Sequence, residues 1–191
     1  MRSLVYFVAC TVDGYIARHD GSFDFFGFEG PHVQDLLDEF PEMIPGHLRD
    51  AVGARKPNRR FDTVLMGRRT YEVGLPLGVT SPYPHLRQIV VSSTMTEPPD
   101  PAVELIRGDV VERVRALKAE PGADVWLCGA AGLAATLATE IDELILKVNP
   151  IVLGSGIPLF ADQIGPRALA VTEHRTYPNG FALLRGRLTR S

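Results

Sequence analysis

The run Leu4–Val12 (LVYFVACTV) constrains the fold more than any other stretch of the chain. It is rich in β-branched and aromatic residues and has no alternating polar positions, which predicts a central strand covered on both faces. Covering both faces of a strand is the habit of parallel sheets, whose crossover helices lie on either side. The remaining pattern agrees. Strands are expected at Thr63–Met66, Gln88–Ser92, Val103–Ile106, Val125–Cys128, Glu143–Val148, Leu169–His174 and Ala182–Leu188. Helices are expected at His32–Phe40, Pro45–Ala51, Val110–Glu120 and Ala130–Thr139, with Asp109 and Glu112 spaced as a capping box. Only the turn Tyr177-Pro178-Asn179-Gly180 separates the last two strands, so they should pair antiparallel at one edge of an otherwise parallel sheet.

A chain of 191 residues can bury a full core within one domain, residues 1–191. Its 20 Lys+Arg against 23 Asp+Glu give a net charge of −3, without the basic excess of a nucleic-acid binder. The basic link Arg55–Arg60 (RKPNRR) is read as a solvated loop with no chemistry. No run approaches the ~18 apolar residues of a membrane span. The two cysteines, Cys10 and Cys128, and the five histidines have no metal-ligand spacing, so no metal is expected and a reducing cytoplasm is the simplest setting. The stretch Asp13–Gly30 reads as a glycine-rich loop able to lay Phe23, Phe25, Phe26 and Phe28 over an apolar surface or a ligand.

Two strand-to-helix junctions have the chemistry of an anion site. In VLMGRRTYE an apolar run stops at Gly67 and releases Arg68 and Arg69, with Thr70 placed to cap the new helix. In Cys128-Gly129-Ala130-Ala131-Gly132-Leu133 small residues lead straight into a helix whose first N–H groups would face a diphosphate. Tight helix–sheet packing would explain either one alone; together they point to a dinucleotide. A Rossmann domain fits poorly, because the G-x-x-G at 129–132 lacks the G-x-G-x-x-G spacing.

TVDGYIA (Thr11–Ala17), VLMGRRTYE (Val64–Glu72), VVSS (Val90–Ser93), WLCGAAGLAATL (Trp126–Leu137) and IDELILKVNPIVLGSGIPLF (Ile141–Phe160) together resemble the dihydrofolate reductase-like superfamily. The similarity is to its bacterial branch related to the reductase domain of riboflavin biosynthesis. The resemblance implies a three-layer α-β-α fold and NADPH at the C-terminal edge of the sheet. It places Gly67, Arg68, Arg69 and Thr70 at the cofactor phosphates, Ser92 and Ser93 near the adenosine 2′-phosphate, and Gly129, Ala130, Ala131, Gly132 and Leu133 at the diphosphate. Ala9, Ile16 and Ala17 fall beside the nicotinamide, and Arg69 with Ser92 would select NADPH over NADH.

The same resemblance implies a homodimeric reductase of a small planar heterocycle, pterin- or pyrimidine-like. Phe7 and Cys128 stand where related pyrimidine reductases carry a lysine and an acid, which predicts an apolar substrate pocket at Phe7, Phe25 and Cys128. Candidate proton donors are Asp24, His32 and Asp35, each of which would otherwise be a solvated surface group. Asp13 is expected to stabilise the turn that leaves the first strand. A protein that binds NADPH or a related nucleotide without turnover is the alternative reading.

Overall fold

In chain order the elements are β1 (Leu4–Thr11), β2 (Tyr15–Ala17), α1 (His32–Glu39), β3 (Phe61–Gly67), α2 (Arg68–Glu72), β4 (Arg87–Val91) and β5 (Val103–Ile106). There follow α3 (Val110–Ala119), β6 (Asp124–Cys128), α4 (Ala131–Thr136), β7 (Glu143–Asn149), β8 (Ile157–Pro158), β9 (Leu169–Thr176) and β10 (Ala182–Leu188). The structure, a computed structural model, describes residues 1–162 and 164–189.

β1 is central, as its apolar run requires. It pairs in parallel with β6 on one side and β7 on the other, in a sheet ordered β5-β4-β3-β6-β1-β7-β10-β9. β3, β4 and β5 extend the parallel part, while β10 runs antiparallel to both β7 and β9. The antiparallel pairing expected of the last two strands is thus present at the edge.

Side chains alternate across the sheet with the period of two that a strand imposes. Val5, Phe7, Val64, Met66, Trp126 and Ile145 face one core with Leu36, Leu37 and Phe40 of α1 and its sequel. Leu4, Tyr6, Leu65, Leu127 and Leu144 face the other, closed by Val110, Val114 and Leu117 of α3 and by Ala134 and Leu137. Helices on both faces make three layers, and the parallel strands all end at one edge.

Several local expectations change. The stretch 13–30 contains β2, which pairs antiparallel with the two-residue β8 as a separate ribbon. The segment after Pro45 forms only the 3-10 turn Gly46–Leu48. Asp109 does cap α3, accepting from Glu112 N at 3.1 Å, but the Glu112 carboxylate turns to Arg115 at 2.8 Å instead of closing a capping box. Thr70 is inside α2, whose N-cap is Gly67, so its hydroxyl has no capping role.

The basic link is more than solvated loop. Glu42, fully buried, accepts the backbone N–H groups of Arg59, Arg60 and Phe61 at 3.3, 2.7 and 2.8 Å. One carboxylate therefore fastens the link to the start of β3. Glu42→Ala would strand three donors in the interior and should destabilise the fold by about 3 kcal/mol in urea denaturation. Glu42→Gln keeps one acceptor oxygen and should lose about half as much.

Candidate functional site at the C-terminal edge of the sheet

The parallel register sets Met66 against Cys128, which brings the two strand-to-helix junctions side by side. They interlock through missing side chains. A Cβ on Gly67 would lie 2.9 Å from the Ala130 Cβ, and a Cβ on Gly129 would lie 3.0 Å from Thr70 Oγ1. Gly129 has φ +59°, and Ala130 follows it at φ 62°, the only non-glycine with positive φ among the described residues. Two successive left-handed residues turn the chain abruptly from β6 into α4. An alanine held there costs about 1–2 kcal/mol.

Among the described residues, the N–H groups of Arg69, Thr70, Ala130, Ala131 and Gly132 have no turn, cap or side-chain acceptor. The donors are thus free on both sides of the interlock. Arg68 and Arg69 both lie exposed, but Arg68 is engaged with Glu72 at 3.3 Å. Arg69 has no ion-pair partner among the described residues, which leaves it as the free guanidinium of the pair. Leu133, further along α4, packs against the second core.

β4 ends beside β3, with Val91 opposite Gly67, so Ser92 and Ser93 emerge on the same edge as the arginines. Ser92 is buried and its Oγ accepts from Thr94 N and Met95 N at 3.2 and 2.9 Å. It therefore builds the turn, and Ser93 is the exposed hydroxyl. Ala9 pairs with Lys147 across β1 and β7. Ile16 packs against the second core and Ala17 is buried, both on the short β2 ribbon.

Asp13 holds this ribbon in place. Its carboxylate accepts from Thr11 Oγ1 at 2.6 Å, Leu153 N at 3.1 Å and Gly154 N at 2.7 Å, joining the turn after β1 to the loop after β7. The Thr11 hydrogen bond and the two backbone bonds pull its pKa down to about 2. A depressed carboxylate pKa contributes stability above the ordinary value near 3.8 and loses it as pH falls toward 2. The loop 150–156 should accordingly lose protection from hydrogen exchange, measured against the intrinsic rate at each pH, in that acid window, and Asp13→Asn should show the lower protection already at neutral pH.

The expected substrate pocket comes out differently. Phe7 is only 1% exposed and sits in an aromatic cluster with Phe40, Phe61 and Trp126. Phe25 lies against Phe26 with the rings tilted by 55° and their centroids 4.4 Å apart, beneath the Arg18 guanidinium, and neither ring joins a core cluster. Phe23 and Phe28 are exposed, so these two rings of the aromatic loop face solvent. Cys128 does face the site, with Tyr83 Oη 4.0 Å from its sulfur and its thiol pushed up to about 11 by burial.

The apolar-floor expectation fails at Lys147. This β7 side chain carries its Nζ to 4.6 Å from the Phe7 ring centroid, so a cation stands beside the residue expected to make the pocket floor apolar. Burial lowers its pKa. The sequence signal was present as a lysine within the strand ELILKVN, on the face shared with buried Ile145.

The proton-donor candidates separate. Asp24 is exposed and ion-paired with Arg18, and Asp35 accepts from Tyr177 Oη at 2.9 Å. His32 is not a surface group: it is 3% exposed, stacks on Phe181 at 3.9 Å and meets Asn179 Nδ2 at 3.1 Å. Burial first, then Lys147, lowers its pKa. His32 and Asp35 thus share Tyr177, whose ring lies edge-on to the imidazole at 5.9 Å, whereas Asp24 is taken up by Arg18. A depression of about 430 Å³ lies at the opposite edge of the sheet, lined by Glu39, Arg60, Glu143 and Arg185 among others. Glu143 takes up two of its arginines, Arg60 at 2.6 Å and Arg185, while Arg59 and Arg187 on the same lining make no ion pair among the described residues.

The left-handed alanine supplies a test of the interlock. Ala130→Gly should raise stability by about 1 kcal/mol by removing the strain, whereas Gly129→Ala should lower it by about 1–3 kcal/mol through strain and the Thr70 contact. Thermal and urea denaturation of the two variants measure both signs.

The model of the RibD C-terminal domain matches residues 2–183. The chain is 33% identical over 162 residues to the uncharacterized protein YwjB of Bacillus subtilis (strain 168), covering 83% of each. It is 28% identical over 192 residues to the uncharacterized protein YyaP of the same organism, covering 94% of this chain and 91% of YyaP. Among solved structures, a protein assigned to riboflavin biosynthesis from Shewanella sp. PV-4 aligns over 100% of both chains with a TM-score of 0.71 at 24% identity. The diaminohydroxyphosphoribosylaminopyrimidine deaminase/5-amino-6-(5-phosphoribosylamino)uracil reductase of Thermotoga maritima aligns over 98% of this chain and 57% of its own, with a TM-score of 0.64 at 18% identity. These likenesses establish the dihydrofolate reductase-like fold. With the family match running from the start of β1 into β10, the chain belongs to the RibD C-terminal domain family.

Proposed function

We propose that the protein is an NADPH-dependent reductase of a small planar heterocycle, pterin- or pyrimidine-like, acting as a single-domain homodimer in the cytoplasm. Family membership supports the reductase class, and the name of the Thermotoga relative supports a pyrimidine-like substrate. The observation that carries the cofactor reading is the interlocked pair of junctions, with unsatisfied N–H groups on both sides and a free guanidinium at Arg69. An arrangement of free amides with one unpaired arginine suits phosphate oxygens, which accept several hydrogen bonds at once.

The residues present fit NADPH. Arg69, Thr70, Ala130, Ala131 and Gly132 would hold its phosphates, Ser93 and Arg69 its 2′-phosphate, and Ala9 with the β2 ribbon its nicotinamide end. When bound, NADPH supplies a hydride to an electrophilic carbon. The protein's own contribution is placement: the strained turn at Gly129 and Ala130 fixes the donors in advance, and the Asp13 tie fixes the ribbon.

Arg69→Ala should weaken NADPH by about 1.5–3 kcal/mol, the worth of a charge-assisted phosphate contact, and change NADH affinity far less. Calorimetric titration with both cofactors decides this, and an equal loss for the two would remove the 2′-phosphate assignment. Measuring NADPH oxidation with the phosphorylated aminopyrimidine and with neutral pterins then separates a reductase from a protein that binds the nucleotide without turnover.

A further inference from the structure

The chain has only three lysines, Lys56, Lys118 and Lys147, in a protein that otherwise uses arginine for positive charge. Lys56 pairs with Asp38 at 2.7 Å on the surface. Lys118, with a side chain 5% exposed, is held by Asp142 at 2.6 Å and by Glu140 O at 2.8 Å. Lys118 shows what this fold gives an ammonium that it buries: a carboxylate and a carbonyl.

Lys147 has neither. Among the described residues its Nζ makes no hydrogen bond and no ion pair, and its nearest charge-stabilising partner is the face of Phe7 at 4.6 Å. The thiols of Cys10 on β1 and Cys128 on β6 are each pushed up to about 11 by burial, so both stay neutral near pH 7 and supply no counter-charge. His32 of α1 is disfavoured as a cation by burial and by Lys147 itself, and Tyr83 is kept protonated by burial. Lys147 is half-buried, and its Nζ is not one of the sealed side-chain atoms that lack a hydrogen bond, which are Arg60 Nε, His85 Nδ1 and Arg175 Nε. A partly desolvated ammonium with three donors, no acceptor and an open approach is a group waiting for an oxygen. It projects from the C-terminal half of β7, opposite Ala9, on the face shared with Cys128 and His32.

We propose that Lys147 is the substrate-binding cation of this site and docks a carbonyl or enolate oxygen of the ligand. The proposal rests on the heterocycle reading given above and narrows it: the ligand is an oxo-heterocycle, and one that presents amino groups at the same edge is rejected. An ammonium can only donate, so N–H groups facing Lys147 would leave it unpaired in a desolvated place.

Two probes differ in the pyrimidine ring alone: lumazine, which carries two carbonyls and two ring N–H groups, and diaminopteridine, in which amino groups replace the carbonyls and the ring nitrogens lose their hydrogens. Equilibrium binding to the full chain, with and without NADPH, should favour lumazine by about tenfold or more. Lys147→Met keeps the stem and removes the charge; lumazine affinity should fall by about tenfold or more while diaminopteridine affinity stays within about twofold. Reductive methylation followed by peptide mapping gives a second readout on the unmutated protein, valid even if the variant fails to fold. Lumazine should shield Lys147 while Lys56 reacts at its usual rate, and diaminopteridine should shield neither.

Equal lumazine affinity in both proteins, no shielding, or no lumazine binding by the wild type would each overturn the proposal. The cofactor reading fails separately, if neither NADPH nor NADH binds while lumazine still shields Lys147.

Discussion

Parallel pairing of β1 on both of its edges is the constraint from which the rest follows. A strand that is apolar on both faces must be covered twice, and parallel neighbours can be reached only by crossovers, which place helices where the cover is needed. The two cores of this protein, one under α1 and one under α3 and α4, are the direct result. A second result is functional. Because β1, β3, β4, β6 and β7 run the same way, their C-terminal ends lie along one edge, and the junctions that leave them become neighbours although they are far apart in sequence.

The register then decides which groups meet. A slip of one residue between β3 and β6 would move Gly67 away from Ala130 and put a side chain into the interlock. Ala130 in a left-handed conformation shows that the close fit is maintained at a local cost, which the pairing of β3 with β6 is strong enough to impose. Small residues in WLCGAAG thus serve the close fit first, and the open amides are what remains once the two turns have closed on each other.

Much of this was legible in the sequence, because the signals were local. The seven strands of the main sheet beyond β1, the Asp109 cap and the final hairpin follow from periodicity and turn chemistry that a few adjacent residues carry. What escaped was non-local or too short to have a period. β2 and β8 are three and two residues long and exist only because each pairs with the other. Ser92 looked like a ligand hydroxyl, but nothing in VVSS says that its oxygen would turn back onto Thr94 and Met95. The aromatic loop is similar: GSFDFFGFEG has apolar mass, yet its rings find each other and Arg18 before they reach a core. Lys147 was hidden by comparison along a single strand. Its place over the Phe7 ring becomes visible only when β1 and β7 are laid side by side.

The two edges of the sheet differ in how their charges are settled, and that contrast bears most directly on function. At the N-terminal edge one carboxylate, Glu143, holds both Arg60 and Arg185, so half of the arginines lining the depression there are taken up by the fold itself. At the C-terminal edge Arg69 and Lys147 have no ion-pair partner among the described residues, one exposed at the strand ends and one half-buried beside β1. Both are strongly placed by the backbone, and neither stabilises the fold through an ion pair. A protein of net charge −3, with acids enough to neutralise every cation, leaves these two open at the same edge. Their different burial fits different partners: an exposed guanidinium suits a phosphate that arrives hydrated, and a half-desolvated ammonium suits a single oxygen on an otherwise apolar ring.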